Sequence, residues 1–194
     1  MKKVKTIFAT ALVLAGFSFA TSAQMSDKMS KMDNTTMVGG EAMFPKKDIV
    51  DNAINSKDHT TLVAAVKAAG LVETLKGKGP FTVFAPTNDA FENLPAGTVE
   101  SLLKPDMKPA LTKVLTYHVV SGSYDFSSLA KLIKEGKGKG MLKTVSGGTL
   151  SFSMNGPHNI MVWDEKGGKA NISVYDVYQS NGIINVVDAV LMPN

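Results

Sequence analysis

The 194-residue sequence predicts an α+β fold, and three observations lead to that reading. In the first half, apolar residues recur at helical spacing. In the second half they alternate with polar ones, as strands with one wet face require. The order, helices first and strands later, points to segregated layers of the two kinds. The chain has no cysteine, so a domain of this size must be held by a packed core without disulfides.

The chain opens on an export signal. Lys2, Lys3 and Lys5 form a positive start, and Thr6 to Ala20 is an apolar run of about 15 residues, shorter than a bilayer span. Thr21-Ser22-Ala23 supplies the small residues of a cleavage site. Residues 1–23 are therefore expected to be a signal peptide, and Gln24 the new N-terminus. No cysteine follows, which excludes a lipoprotein, and with no second long apolar run the mature chain is expected to lack a transmembrane anchor. Residues 24–43, QMSDKMSKMDNTTMVGGEAM, are polar and free of aromatics, and are expected to form a flexible leader. Its Met25, Met29, Met32 and Met37 carry soft thioethers that suit Cu(I), an alternative to a plain polar tail.

The folded domain is expected over residues 44–194, from Phe44-Pro45 onward. Ile49, Val50, Ala53 and Ile54 mark a first helix over Asp48–Asn55. Asp58 is placed to cap a second helix that carries Leu62, Val63, Val66 and Ala69 and closes at Gly70. Leu71, Val72 and Leu75 make a third short turn, and Gly77-Lys78-Gly79-Pro80 breaks the pattern. Phe81 to Ala85 reads as a buried strand stopped by Pro86. Thr87 then caps a turn through Phe91, with Asp89 near its positive end. Thr98 is placed to cap a helix over Val99–Leu103, and Pro109 opens another with Leu111, Val114 and Leu115 on its apolar face. Tyr117 to Val120 is expected to leave that helix as a strand. Ser127–Lys134 is one more helix, followed by a mobile loop at Gly136–Gly140. Met141–Val145 and Thr149–Met154 form a hairpin around Ser146-Gly147-Gly148. Asn159–Trp163, Lys169–Tyr175, Gly182–Val187 and Ala189–Met192 complete the strands.

Composition narrows the function. The net charge is +4, but three of the lysines lie in the signal peptide, so the mature chain is close to neutral. Every basic residue is Lys, and without Arg there is no bidentate fork for phosphates or bases. Nucleic acid is not an expected partner. Without cysteine there is no thiol nucleophile, redox pair or Cys-based zinc site, and three scattered His make no metal cluster. No cofactor is expected. The sequence contains no G-x-S-x-G, H-E-x-x-H, EF-hand or P-loop pattern. His59 and His158 stand in polar surroundings and read as surface residues. His118, between apolar neighbours, has two readings: a ring that holds a helix–strand corner together, or a contact for a partner.

Three segments, in order, resemble one family. Thr82-Val83-Phe84-Ala85-Pro86-Thr87-Asn88-Asp89-Ala90-Phe91 resembles the first signature of the fasciclin-like (FAS1) domains. Leu115-Thr116-Tyr117-His118-Val119-Val120 resembles their central Tyr-His segment. Asn181 to Pro193, which contains Gly182 and Asp188, resembles their closing signature. The resemblance implies a β-sandwich-like wedge with helices along one edge, and adhesion rather than catalysis. It implies a small secreted bacterial member at the periplasm, cell surface or medium, whose partner is an extracellular or envelope protein or glycan. A small-molecule or Cu(I)-handling envelope protein is the alternative, using the Met-rich leader or a pocket near Tyr117 and His118. Tyr117, His118 and Asp176 are the candidate binding residues; Thr87, Asn88, Asp89, Gly182 and Asp188 are expected to be structural. Two departures stand out. Asn185 replaces a frequent His of the closing signature, and before that signature only Asp176 and Val177 loosely fit the integrin-binding pattern of animal members, so integrin binding is not carried over.

Overall fold

A computed structural model describes residues 35–194. The expected signal peptide and most of the expected leader, with Met25, Met29 and Met32, lie outside the described residues. The leader was expected to run to Met43, but the fold begins earlier. β1 (Thr36–Val38) and β2 (Glu41–Met43) pair as an antiparallel hairpin. Its two-residue turn, Gly39-Gly40, has positive φ at both positions, which only glycine adopts freely. Val38 and Met43 face inward and are buried in the core. Two short apolar stretches separated by Gly-Gly-Glu look like tail in a sequence; a tight turn brings Val38 and Met43 onto one face.

Helix α1 (Ile49–Ala53) is capped by Asp48, whose carboxylate accepts from the Asp51 amide at 2.8 Å. α2 (Thr60–Ala69) follows a 3₁₀ turn, Lys57–His59, and ends at Gly70 in the left-handed conformation. Asp58 lies within that 3₁₀ turn rather than capping α2. The cap comes from across the fold: Asn88 Oδ1 accepts from the Thr61 amide at 3.0 Å, and its Nδ2 donates to the Lys57 carbonyl at 2.8 Å. α3 (Val72–Lys76) is a short turn with no fully buried residue. β3 (Phe81–Pro86) leads to α4 (Asn88–Glu92), where the Thr87 hydroxyl accepts from the Ala90 amide. Gly97, not Thr98, sits at the N-cap of α5 (Thr98–Leu102), in a left-handed conformation that glycine tolerates. α6 (Lys108–Tyr117) takes in the residue at which the expected strand begins: Tyr117 is its last residue, His118 its C-cap, and β4 (Val119–Ser121) starts two residues later than expected.

The remaining elements are α7 (Phe126–Glu135), β5 (Gly140–Lys143), β6 (Thr149–Met154), β7 (Ile160–Trp163), β8 (Lys169–Gln179) and β9 (Gly182–Val187). Ala189–Met192, expected as a strand, is irregular, yet Leu191 is fully buried. The seven-stranded sheet runs β4-β3-β9-β8-β7-β6-β5, and only β3 with β9 is parallel. It curls until its ends meet, where Val120 bridges Thr144 and the Val145 amide donates to the Val119 carbonyl at 2.7 Å. The result is a nearly closed wedge with helices. β3 serves both of its sides: Val83 and Ala85 join the cluster under α2 and α6, while Phe84 joins the one built from β5–β8 and α7.

Candidate interaction site

The Tyr117-His118 segment stands where α6 turns into β4. His118 is buried, and the Leu191 amide donates to its Nε2 at 2.9 Å. An amide can only donate, so Nε2 is bare and the proton sits on Nδ1, which donates to the Val114 carbonyl at 2.9 Å. Burial pushes the ring's pKa down to about 4. Tyr117 is fully buried as well. Its hydroxyl donates to the Thr149 carbonyl at 2.8 Å and accepts from the Glu165 amide at 3.1 Å. Burial, helped by the nearby carboxylates of Glu165 and Asp164, raises its pKa to about 12. Neither side chain reaches solvent, and each binds the closing segment or the β6–β7 hairpin to the helix end.

Asp176 is half-buried in β8, within the register shift between Val174 and Val177, with φ 58°. The irregularity aims its side chain at the start of α7, where Oδ1 accepts from the Phe126 amide at 2.7 Å. Asp125 caps the same helix through the Ser128 amide at 2.8 Å. Burial raises the Asp176 pKa, whereas the hydrogen bonds to Ser128 lower that of Asp125. Asn185, fully buried, accepts from the Asp176 amide at 3.1 Å and donates to the Tyr124 carbonyl at 3.3 Å. Here an amide supplies the acceptor and the donor that the corner needs. Val177 is buried, so this region presents no acidic-aliphatic pair to a partner.

The signature residues have structural neighbours throughout. Thr87 and Asn88 cap α4 and α2, and exposed Asp89 lies in the first turn of α4. Asp188 accepts from the Asn171 amide at 2.7 Å and from its side-chain amide at 2.9 Å. Gly182 pairs with Phe81 in the parallel β3–β9 register, and a Cβ there would fall on the Phe81 carbonyl. Asn181 accepts from the Ile49 amide and donates to the carbonyls of Leu75 and Gly77, tying α1 and α3 to β9.

His59, read from sequence as a surface residue, is buried. Its Nδ1 meets the Ser56 hydroxyl at 2.8 Å, its Nε2 has no hydrogen-bond partner of ordinary geometry, and burial lowers its pKa. Val38 and Met43 of the β1–β2 hairpin lie beside it and help to cover it. His158 is exposed. Met37 is 59% exposed on β1. Among the described residues no group of three or more His, Cys, Asp or Glu could hold a metal ion, and no helix is long and apolar enough to cross a membrane.

One exposed aromatic lies at a position that the sequence motifs do not mark. Tyr178, 47% exposed, stands at the rim of a cleft of about 570 Å³ shared with Asp48, Lys76, Lys78, Ser123 and Asn181. Its hydroxyl leans on Asp125 at 3.4 Å. Lys76 is paired with Asp48 and Asp51, while Lys78 makes no ion pair among the described residues. The sequence signal was slight: the β alternation continues past Tyr175 to Gln179, leaving Tyr178 outward between buried Val177 and Gln179.

Comparison with known proteins fits this geometry. Protein sll1483 of a Synechocystis species is 41% identical over 180 residues, covering 93% of this chain and 92% of its own. Immunogenic protein MPB70 of Mycobacterium bovis is 36% identical over 146 residues, covering 73% of this chain and 66% of its own. Cell surface glycolipoprotein MPB83 of the same species is 33% identical over 165 residues, covering 82% and 67%. A FAS1 domain pair from the insect cell adhesion molecule fasciclin I shares the fold, with a TM-score of 0.66 at 19% identity over 75% of this chain and 51% of its own. Residues 57–193 match the Fasciclin domain, and the chain belongs to that family.

Proposed function

We propose that the protein is a non-enzymatic interaction module that works outside the cytoplasm, at the periplasm, cell surface or medium, and binds an extracellular or envelope protein or glycan. One observation carries this reading: the side chains of Tyr117, His118 and Asp176 are each engaged within the fold, leaving no free cluster of reactive groups there. The names of two similar proteins, a cell surface glycolipoprotein and a cell adhesion molecule, support it. The contact surface is the Tyr178 cleft. Tyrosine is among the residue types that dominate binding energy at interfaces, and Lys78 in the same cleft makes no ion pair among the described residues. The test is adhesion of beads coated with the protein to cells that produce it, with soluble protein as competitor. Wild-type beads should bind, and the double variant Tyr178→Ala/Lys78→Glu should bind less by more than about tenfold, or 1.4 kcal/mol. Wild-type beads that bind no better than albumin-coated ones would overturn the reading.

A further inference from the structure

Between α1, α2, α3 and the β3–β9 part of the sheet lies a cavity of about 90 Å³. Its wall is hydrocarbon, with Ile49, Val66, Leu75, Val83, Leu115 and Ile184 in the lining. Close-packed interiors leave few voids larger than one water, and this one has the volume of about three at ~30 Å³ each. Water gains little there. His118 reaches the wall, but both of its nitrogens are engaged within the fold, and the Thr116 hydroxyl donates to the Thr112 carbonyl. Apolar cavities of this kind stay dry and accept hydrocarbon guests.

The cavity has a way out. Ile54 and Val145, which also line it, are 48% and 45% exposed. α3 forms part of the cover and has no fully buried residue, so a short turn, held by Asn181 and by the Lys76 ion pairs rather than by burial, lies over the cavity. Lys67, on the exposed flank of α2, is the only charged residue of the lining and makes no ion pair among the described residues. A hydrocarbon interior with a single free cation at its edge complements a molecule with an apolar tail and an anionic head.

We propose that this cavity binds the tail end of a free straight-chain fatty acid, with the last methylenes among Ile49, Leu75 and Ile184 and the carboxylate at Lys67. The enclosed volume takes only the chain's end; the rest lies along the half-exposed apolar side chains of α2 and α3. Burial of each further methylene strengthens binding about fourfold. The site is separate from the Tyr178 cleft, so its test is independent of adhesion.

The test is titration of the full chain with decanoate, dodecanoate and dodecanol below their micelle concentrations, followed by methyl NMR. The methyl signals of Ile49, Val66, Leu75 and Ile184 should shift, and dodecanoate should bind about tenfold or more tightly than decanoate. Val66→Phe, which fills the cavity, should abolish binding of both acid and alcohol. Lys67→Glu, at an exposed position that folding does not need, should weaken dodecanoate about fivefold or more and leave dodecanol unchanged; this variant decides the matter if Val66→Phe does not fold. Lining methyls that stay still at the solubility limit would overturn the proposal, as would equal loss of acid and alcohol in Lys67→Glu. So would shifts caused only by anionic phospholipid vesicles, or only by raising the protein concentration, which would mark a membrane or a second copy as the occupant.

Discussion

His118 shows at the residue scale how a motif can recur for structural reasons. One nitrogen donates to Val114 and the other accepts from Leu191, so the ring joins α6 to the closing segment. His118→Ala removes packing and leaves two backbone groups unpaired, which costs on the order of 1–3 kcal/mol. The denaturant midpoint should fall accordingly with the m-value unchanged. Protonation attacks the same link, because a proton on Nε2 would face the Leu191 N–H. The folded pKa, about 4, lies below the ordinary 6.5, so the unfolded chain takes up the proton first. Stability is therefore complete above pH ~6.5 and declines as pH falls toward 4, with a slope of up to about 1.4 kcal/mol per pH unit. His59, also lowered, acts in the same direction, and Asp176, raised, softens the decline. Denaturant midpoints measured at several pH values should show this fall, and it should be shallower in His118→Ala, which has one fewer titrating ring.

At the element scale the β1–β2 hairpin is the main surprise. A chain truncated before Thr36 should keep its stability. Truncation through Met43 removes the burial of Val38 and Met43, roughly 1.5–3 kcal/mol each, and uncovers His59. Thermal melts of the two truncations should differ by many degrees; coincident melts would return the hairpin to the status of leader. The other elements were legible where a local signal was strong. The first helix from Asp48, the Gly70 stop, the Thr87 cap and the β6 alternation all rest on residues within one turn or strand. What escaped depends on distant residues. Asp58 is a reasonable cap for α2 until Asn88, from another helix, takes the task. His59 has polar neighbours in sequence and apolar ones in space. Tyr117 and His118 were legible as a motif, but their burial comes from β6, β7 and the closing segment, which no local window contains. The Tyr178 cleft and the apolar cavity are made by elements far apart in the chain, so no single stretch announces them.

At the scale of the whole molecule, a mixed sheet that nearly closes on itself leaves two cores, and the family signatures lie where elements from both ends of the chain are joined. Asn181 ties α1 and α3 to β9, Gly182 allows the parallel β3–β9 approach, and Asp188 holds the start of β8. The signature residues that join these elements hold the fold, and adhesion belongs to an outer surface that they only support. This division separates stability from adhesion. Its most direct test is bead adhesion by wild type, His118→Ala and Tyr178→Ala/Lys78→Glu, all measured well below their melting temperatures. His118→Ala, although less stable, should adhere like wild type, and the cleft variant, although as stable as wild type, should lose adhesion by more than about tenfold. Lost adhesion in folded His118→Ala, together with full adhesion in the cleft variant, would contradict it.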